Sequence, residues 1–248
     1  MARGLYLLFG LAAYALFFAV FLYLIAFVGN LPEVPRTVDR GNAGAPLALA
    51  VALNLALIAL FGLQHSVMAR QGFKARLARI MPQPVERSVY VLFASLALIL
   101  LFLFWQPIPA AVWSVEAPAA RAVLWALFAA GWLVVLVSTF LISHFELFGL
   151  AQVWRHARGT EPAPAVFGQP FFYRHVRHPI YSGFFLAFWA TPEMSAGHLL
   201  LALGMSVYML IGIRHEERDL VGMFGGDYEE YRGRVGMLTP RLRRRRAS

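Results

Sequence analysis

Arg177-His178-Pro179-Ile180-Tyr181-Ser182-Gly183 is followed, after an apolar interval, by Glu216-Glu217 and then by Phe224-Gly225-Gly226-Asp227-Tyr228-Glu229-Glu230-Tyr231. These stretches cluster titratable side chains at one end of a chain otherwise made largely of apolar runs. Proline suits the first position of a helix, and the residues before it are biased away from α geometry. The N–H groups and partial positive charge at such a helix start favour a carboxylate, and Arg177 and His178 add directed donors. The acidic pair, flanked as Arg214-His215-Glu216-Glu217-Arg218, can take the ammonium and ribose hydroxyls of a nucleoside amino acid. It can equally pair with arginine, and the Arg-His-Pro stretch can simply anchor a helix hairpin on its basic side. The coincidence of the two motifs is what favours a site.

Other polar groups stand within or beside apolar runs. His65 follows Gln64, and His144 and Glu146 occur in Ser143-His144-Phe145-Glu146-Leu147-Phe148-Gly149. A histidine near lipid commonly satisfies a buried partner, but a neutral imidazole is also the usual side chain for drawing a proton from a substrate. His65, His144 and Glu146 lack HxxxH or HExxH spacing, so no metal is expected. No G-x-S-x-G, P-loop or G-x-G-x-x-G is present, which argues against a serine hydrolase, an NTPase and a Rossmann enzyme. Phe224-Gly225-Gly226 reads as a turn.

Composition says what must position these groups. With 60% hydrophobic and only 14% charged residues, the chain is a polytopic membrane protein rather than a soluble domain. The net charge of +9 is concentrated locally, much of it in the tail Arg241-Leu242-Arg243-Arg244-Arg245-Arg246. That tail suits an anionic lipid surface and a topology anchor, and so apolar a body excludes nucleic acid as a partner. The absence of cysteine excludes disulfides, thiolate metal sites and a cysteine nucleophile.

The fold class expected is an all-α integral membrane protein of about six transmembrane segments. They fall at about 5–28, 47–69, 89–105, 122–148, 180–192 and 197–213. Breaks at Pro32–Pro35, Pro82–Pro84, Pro107–Pro109, Pro162–Pro164 and Pro192 separate them. The first run is too long for a secretory signal and is read as a membrane helix. The fifth is short, so it and the sixth are expected to form a tight helical hairpin. Positive charge sets the orientation. The 70–88 connection carries Arg70, Lys74, Arg76, Arg79 and Arg87, and the 149–178 connection carries Arg155, Arg158, Arg174 and Arg177. The 106–120 and 193–196 connections have no Lys or Arg, and 30–45 balances its two arginines with two acids. Both termini and every motif of interest are therefore expected in the cytoplasm, where a soluble cofactor is made. One domain over 1–248 is expected: helices over 1–139, a cofactor-binding portion over 140–240, and the basic tail over 241–248.

The pattern RHPxYxG, then the acidic pair, then FG-x-x-Y-x-x-Y, resembles the isoprenylcysteine carboxyl methyltransferase and phospholipid methyltransferase superfamily of membrane enzymes (NnrU-like). The resemblance covers about 140–240. It implies S-adenosylmethionine as cofactor, held by Tyr173, Arg177, His178, Pro179, Tyr181, Glu216 and Glu217, with His175 and Val176 in the same connection. A narrower likeness spans almost the whole chain. Phe27-Val28-Gly29-Asn30, Leu63–Arg70, Glu86–Val91, His144–Leu150 and Ala187–Met194 look like the methanethiol S-methyltransferase family, whose product is dimethyl sulfide. Gly212 and Ile213 stand where the prenylcysteine enzymes place an arginine for the substrate carboxylate, and an uncharged volatile thiol needs no such clamp. The partners implied are a small thiol and membrane lipids; prenylcysteine carboxylate, phospholipid amine or a non-catalytic NnrU-like role are the competing readings. An alkyl thiol must lose a proton to become a good nucleophile. The expected base is His144, with Glu146 nearby and His65 as the alternate; Phe145, Trp189 and Met194 are expected around the methyl group.

Overall fold

The structure is a computed structural model that describes residues 2–42, 44–161 and 167–241. The Pro162–Pro164 break and the basic tail beyond Arg241 lie outside the described residues. In chain order the elements are α1 (Ala2–Val28), α2 (Leu47–Ala69), α3 (Gln71–Leu77), α4 (Gln83–Phe104), β1 (Ala111–Ser114), α5 (Pro118–Ile142), α6 (His144–Leu147) and α7 (Leu150–Arg158). A 3-10 turn at Phe171–Arg174 leads to α8 (Pro179–Trp189), β2 (Glu193–Ser195), α9 (Ala196–Phe224) and α10 (Gly226–Arg234). Among the described residues, five helices (α1, α2, α4, α5 and α9) are long and apolar enough to cross a membrane. The protein is an integral membrane protein.

α8 has 11 residues. At ~1.5 Å per residue it is about half the ~30 Å of a hydrocarbon core. Helix geometry ends at Ala190, where Thr191 turns back to donate its hydroxyl to the Glu193 carbonyl at 2.8 Å. Three other boundaries differ from the sequence expectation. α4 begins at Gln83 rather than about 89, because Pro84 fits its first turn, where the missing N–H has no helical partner to lose. The fourth apolar run stops at Ile142, because Ser143 is extended, and resumes as the one-turn α6. The sixth continues through its charged turn to Phe224. β1 and β2 form a small antiparallel pair with Ser114 opposite Glu193; these few residues between prolines carry no strand periodicity, and the all-helical expectation missed them.

α1 packs on α4, α4 on α2, α2 on α9, α9 on α8, and α8 on α5. Phe21 meets Trp132 edge-to-face at 5.5 Å and returns α5 to α1, closing a ring. Successive helices alternate in direction. The start of α1, the 70–88 connection, α7, the 171–178 stretch and α10 therefore gather at one end, the basic end. At the opposite end, buried Asn54 grips both backbone groups of Gln106, at 2.7 and 2.8 Å, and Trp105 donates to the Val38 carbonyl at 3.0 Å. An amide in an apolar helix is satisfied there by the end of another helix.

The tightest joint is between α5 and α8. A methyl carbon on Gly131 would stand 2.7 Å from the Ala187 nitrogen, and one on Gly183 would stand 2.6 Å from the Gly131 carbonyl oxygen. Only glycine lets two backbones approach this closely, the usual device where lipid offers no hydrophobic drive between helices. The contact fixes the height of α8, and with it His178 at its start. Gly131→Ala is expected to cost about 1–3 kcal/mol by overpacking. It should lower the thermal midpoint in detergent, while Gly4→Ala, which meets nothing within 4 Å, should not.

Candidate active site

The Arg-His-Pro stretch is held by the chain that follows α10. The Arg177 amide donates to the Gly236 carbonyl at 2.8 Å and the His178 amide to the Met237 carbonyl at 3.1 Å. Ser182 donates its hydroxyl to the Leu238 carbonyl at 2.8 Å. Residues 235–238 thus strap the entry to α8. Beneath the strap the Phe-Gly-Gly turn leads into α10, whose Tyr228 and Tyr231 are buried against Phe167 and Phe224. Tyr231 donates to the Tyr173 carbonyl at 2.5 Å. Burial pushes the Tyr231 phenol up to about 12 and raises Tyr173 as well, so both remain proton donors at neutral pH.

Arg177 joins three segments. Its Nε donates to Glu217 Oε1 at 2.8 Å, and its Nη1 donates to the carbonyls of Val235 at 2.5 Å and Arg232 at 3.2 Å. A guanidinium on the last carbonyls of α10 complements that helix end. His178, with 2% of its side chain exposed, lies between the acids: Nε2 is 3.1 Å from Glu217 and Nδ1 is 3.8 Å from Glu216. Glu217 is 14% exposed and committed to these partners, whereas Glu216 is 46% exposed and keeps an open face. The Tyr181 hydroxyl faces Glu216, and Gly212 leaves it room, since a methyl carbon there would lie 3.4 Å from that oxygen.

A second polar group lies beside the first. Tyr90 and His65 share a 2.6 Å hydrogen bond through His65 Nε2. Tyr208 packs edge-on to His65 at 6.1 Å, and Arg87 sits 4.8 Å over the Tyr90 ring. Tyr90 and Tyr208 also lie near enough to Tyr181 and Glu216 to feel their charges, which extends a line of polar groups from His178 towards Arg87. Tyr90 and Tyr208 escaped the sequence reading because a tyrosine in an apolar run looks like packing. The signal available was Arg87 one turn before Tyr90 on the same helix face.

His144 is placed elsewhere, between α1 and α5. Its Nδ1 is 2.8 Å from Thr139 Oγ1, its Nε2 is 2.8 Å from the Tyr14 hydroxyl, and Phe140 stacks on it at 4.1 Å. Thr139 gives its proton to the Leu136 carbonyl, so it accepts from Nδ1–H, and Nε2 accepts from Tyr14. Both ring nitrogens are therefore in use. Glu146 turns away to pair with Arg155. Phe145 is half exposed beside His144, His175 is exposed, and Val176 bridges to Gly236. Trp189 and buried Met194 lie at the opposite end of the ring. Trp189 donates to Ser206 at 3.1 Å, and Met194 pairs with Trp113 in the sheet. An open cleft of about 370 Å³ at the basic end is lined by Lys74, Glu86, Arg87, Ser143, Glu146 and Gln152, on the Arg87 side rather than the Arg177 side.

The NnrU protein family model matches residues 53–242. Methanethiol S-methyltransferase from Mycobacterium tuberculosis is 52% identical over 97% of this chain and 98% of its own length. The chain belongs to the NnrU family, among the methanethiol S-methyltransferases. Methanethiol S-methyltransferase 1 of Bradyrhizobium diazoefficiens is also 52% identical, over 94% of this chain and 81% of that protein. Nurim from Sus scrofa is 30% identical over 82% of each. No solved structure matches significantly. The match to the methanethiol S-methyltransferases takes in the first four long helices as well as the acidic pair, so both halves of the polar line lie within it.

Arg177→Ala would strand Glu217 and uncap α10. Loss of a partner from a largely buried pair costs about 3 kcal/mol. Amide hydrogen exchange over 226–238 should then rise roughly a hundredfold, with far less change in α4. Burial also pushes the His144 imidazole below its ordinary value, so the folded protein holds it neutral. The unfolded chain binds the extra proton below about 6.5. Stability from this group is full above that value and is lost as pH falls through the lowered pKa. The thermal midpoint should drop between about pH 7.5 and pH 5.5, and less steeply in His144→Gln.

Proposed function

We propose that this protein transfers a methyl group from S-adenosylmethionine to a small thiol, converting methanethiol to dimethyl sulfide. The observation that carries the reading is the near full-length likeness to methanethiol S-methyltransferases. A methyltransferase needs a methyl donor, and the chemistry at the start of α8 suits S-adenosylmethionine. Glu216 offers a carboxylate with an open face for the ammonium or the ribose hydroxyls. His178 and the first N–H groups of α8, which have no partner within the helix, suit the carboxylate. Arg177 and Glu217 hold the strap in position, and Tyr173, His175, Val176, Pro179 and Tyr181 are the remaining residues of that wall. When bound, S-adenosylmethionine supplies a methyl group already activated by its sulfonium charge, leaving the protein mainly the task of alignment.

Six passages of the membrane follow if α8 crosses together with its flanking turns, α8 and α9 forming a short helical hairpin. The basic connections then face the cytoplasm, of a bacterial inner membrane in the reading proposed, and both ends of the described chain lie on that side. The 140–240 portion carries the cofactor and the preceding helices complete the acceptor side. A small apolar thiol enters from the lipid and needs no charged clamp. In this reading Phe145, beside His144, and Trp189 and Met194, at the far end of the ring, serve packing.

Purified protein given S-adenosylmethionine and methanethiol should release dimethyl sulfide into the headspace. Glu216→Ala, by removing a charged hydrogen-bond partner, should weaken cofactor binding about 10- to 100-fold. Intact cofactor binding with no dimethyl sulfide would move the acceptor to a lipid amine or a prenylcysteine carboxylate. A folded protein that binds no S-adenosylmethionine would end the methyltransferase reading.

A further inference from the structure

We infer that His65 and Tyr90 form the acceptor side of the site, with His65 Nδ1 taking the thiol proton and Tyr90 holding the ring in the required tautomer. The inference rests on the thiol methyltransferase reading and adds the group that activates the sulfur. The two histidines beside the apolar spans differ in one respect that matters. His144 has both nitrogens engaged, whereas His65 uses only Nε2, and its buried Nδ1 has no partner among the described residues. A buried polar nitrogen left without a partner costs stability unless something else meets it.

A tyrosine hydroxyl can donate to Nε2 or accept from it, and the second arrangement is the one proposed. When Nε2–H donates to the Tyr90 oxygen, Nδ1 is bare and can accept an S–H proton. Around His65 stand Tyr90 and Arg87 from α4, Tyr208 from α9 and, on its own helix, Phe61, whose ring stacks on the imidazole at 5.3 Å. Glu216 lies beyond the two tyrosines. Phe61 and the faces of the tyrosines give an apolar wall suited to a methyl group. The polar line then joins this wall to the residues at the start of α8, so the acceptor is held by α2, α4 and α9 while the donor is held by α8 and α9.

The step balances without another reactant. The S–H bond breaks and its proton moves to His65 Nδ1. The electron pair left on sulfur forms the new bond to the methyl carbon. The imidazolium then releases its proton to water, which restores the neutral base. Tyr90 is a positioning residue: it touches the base and not the reacting atoms.

The test uses full-length His65→Gln and Tyr90→Phe, with S-adenosylmethionine binding as the check that each variant is folded. Both should bind the cofactor within about twofold of wild type. His65→Gln should lower kcat/KM for methanethiol on the order of a hundredfold or more. Methaneselenol is largely ionised at neutral pH and needs no base, so its turnover by this variant should fall less than about tenfold. Tyr90→Phe should lower kcat with KM little changed. A readout free of turnover comes from histidine-labelled protein given methanethiol alone: the His65 nitrogen signals, assigned by their loss in His65→Gln, should move in wild type and not in Tyr90→Phe. Equal losses for thiol and selenol in His65→Gln, or unmoved His65 signals in wild type, would overturn the inference. Wild type that methylates neither acceptor would instead overturn the thiol reading on which it rests.

Discussion

The basic end of the molecule depends on Arg177. Its guanidinium is the one group that touches α9 through Glu217, the end of α10 through two carbonyls, and by its own backbone the strap at Gly236. A charge beside membrane helices is costly unless its donors are met, and here the meeting is what folds the segment. Removing it would leave Glu217 without its strongest partner and α10 with bare carbonyls. Much of what the acidic pair does is therefore structural. The two glutamates divide the work: Glu217 is enclosed with Arg177 and His178, and Glu216 keeps an open face.

That division depends in turn on the height of α8. The crossing of Gly131 and Gly183 draws α8 against α5 until their backbones touch, and His178 begins the helix three residues short of Tyr181. Tyr181 then points at Glu216 over the small Gly212 rather than into lipid. A larger residue at any of these glycines would shift one side of the polar line relative to the other.

The four long early helices were legible in the sequence, α2 to the residue and the others to within about six residues, because length and apolarity set them directly. The Arg-His-Pro stretch and the acidic pair were legible as a unit, and Arg177, His178, Glu216 and Glu217 do converge. What was not legible came from tertiary contact. Ser143 breaks an apolar run that composition alone extends to Phe148. The charged turn after Ile213 stays helical, with Glu217 tied to Arg177 and His178 at the start of α8. Glu146 stands two residues from His144 yet turns to Arg155, since their side chains leave α6 on different sides. Tyr208 carries no signature until the ring brings it to His65, and Tyr90 carries only Arg87 one turn before it.

His65 and His144 each hydrogen-bond to a tyrosine hydroxyl, and the difference between them lies in the second nitrogen. Thr139, one turn back on α5, closes the circuit at His144 and makes it a joint between α1 and α5. Among the described residues no side chain meets His65 Nδ1, and Leu60 stands five residues before His65 where Thr139 stands five before His144. Phe61 stacks on the imidazole without bonding to it, as Phe140 does at His144. Threonine against leucine five residues before the histidine thus distinguishes an imidazole with both nitrogens engaged from one whose second nitrogen has no partner among the described residues.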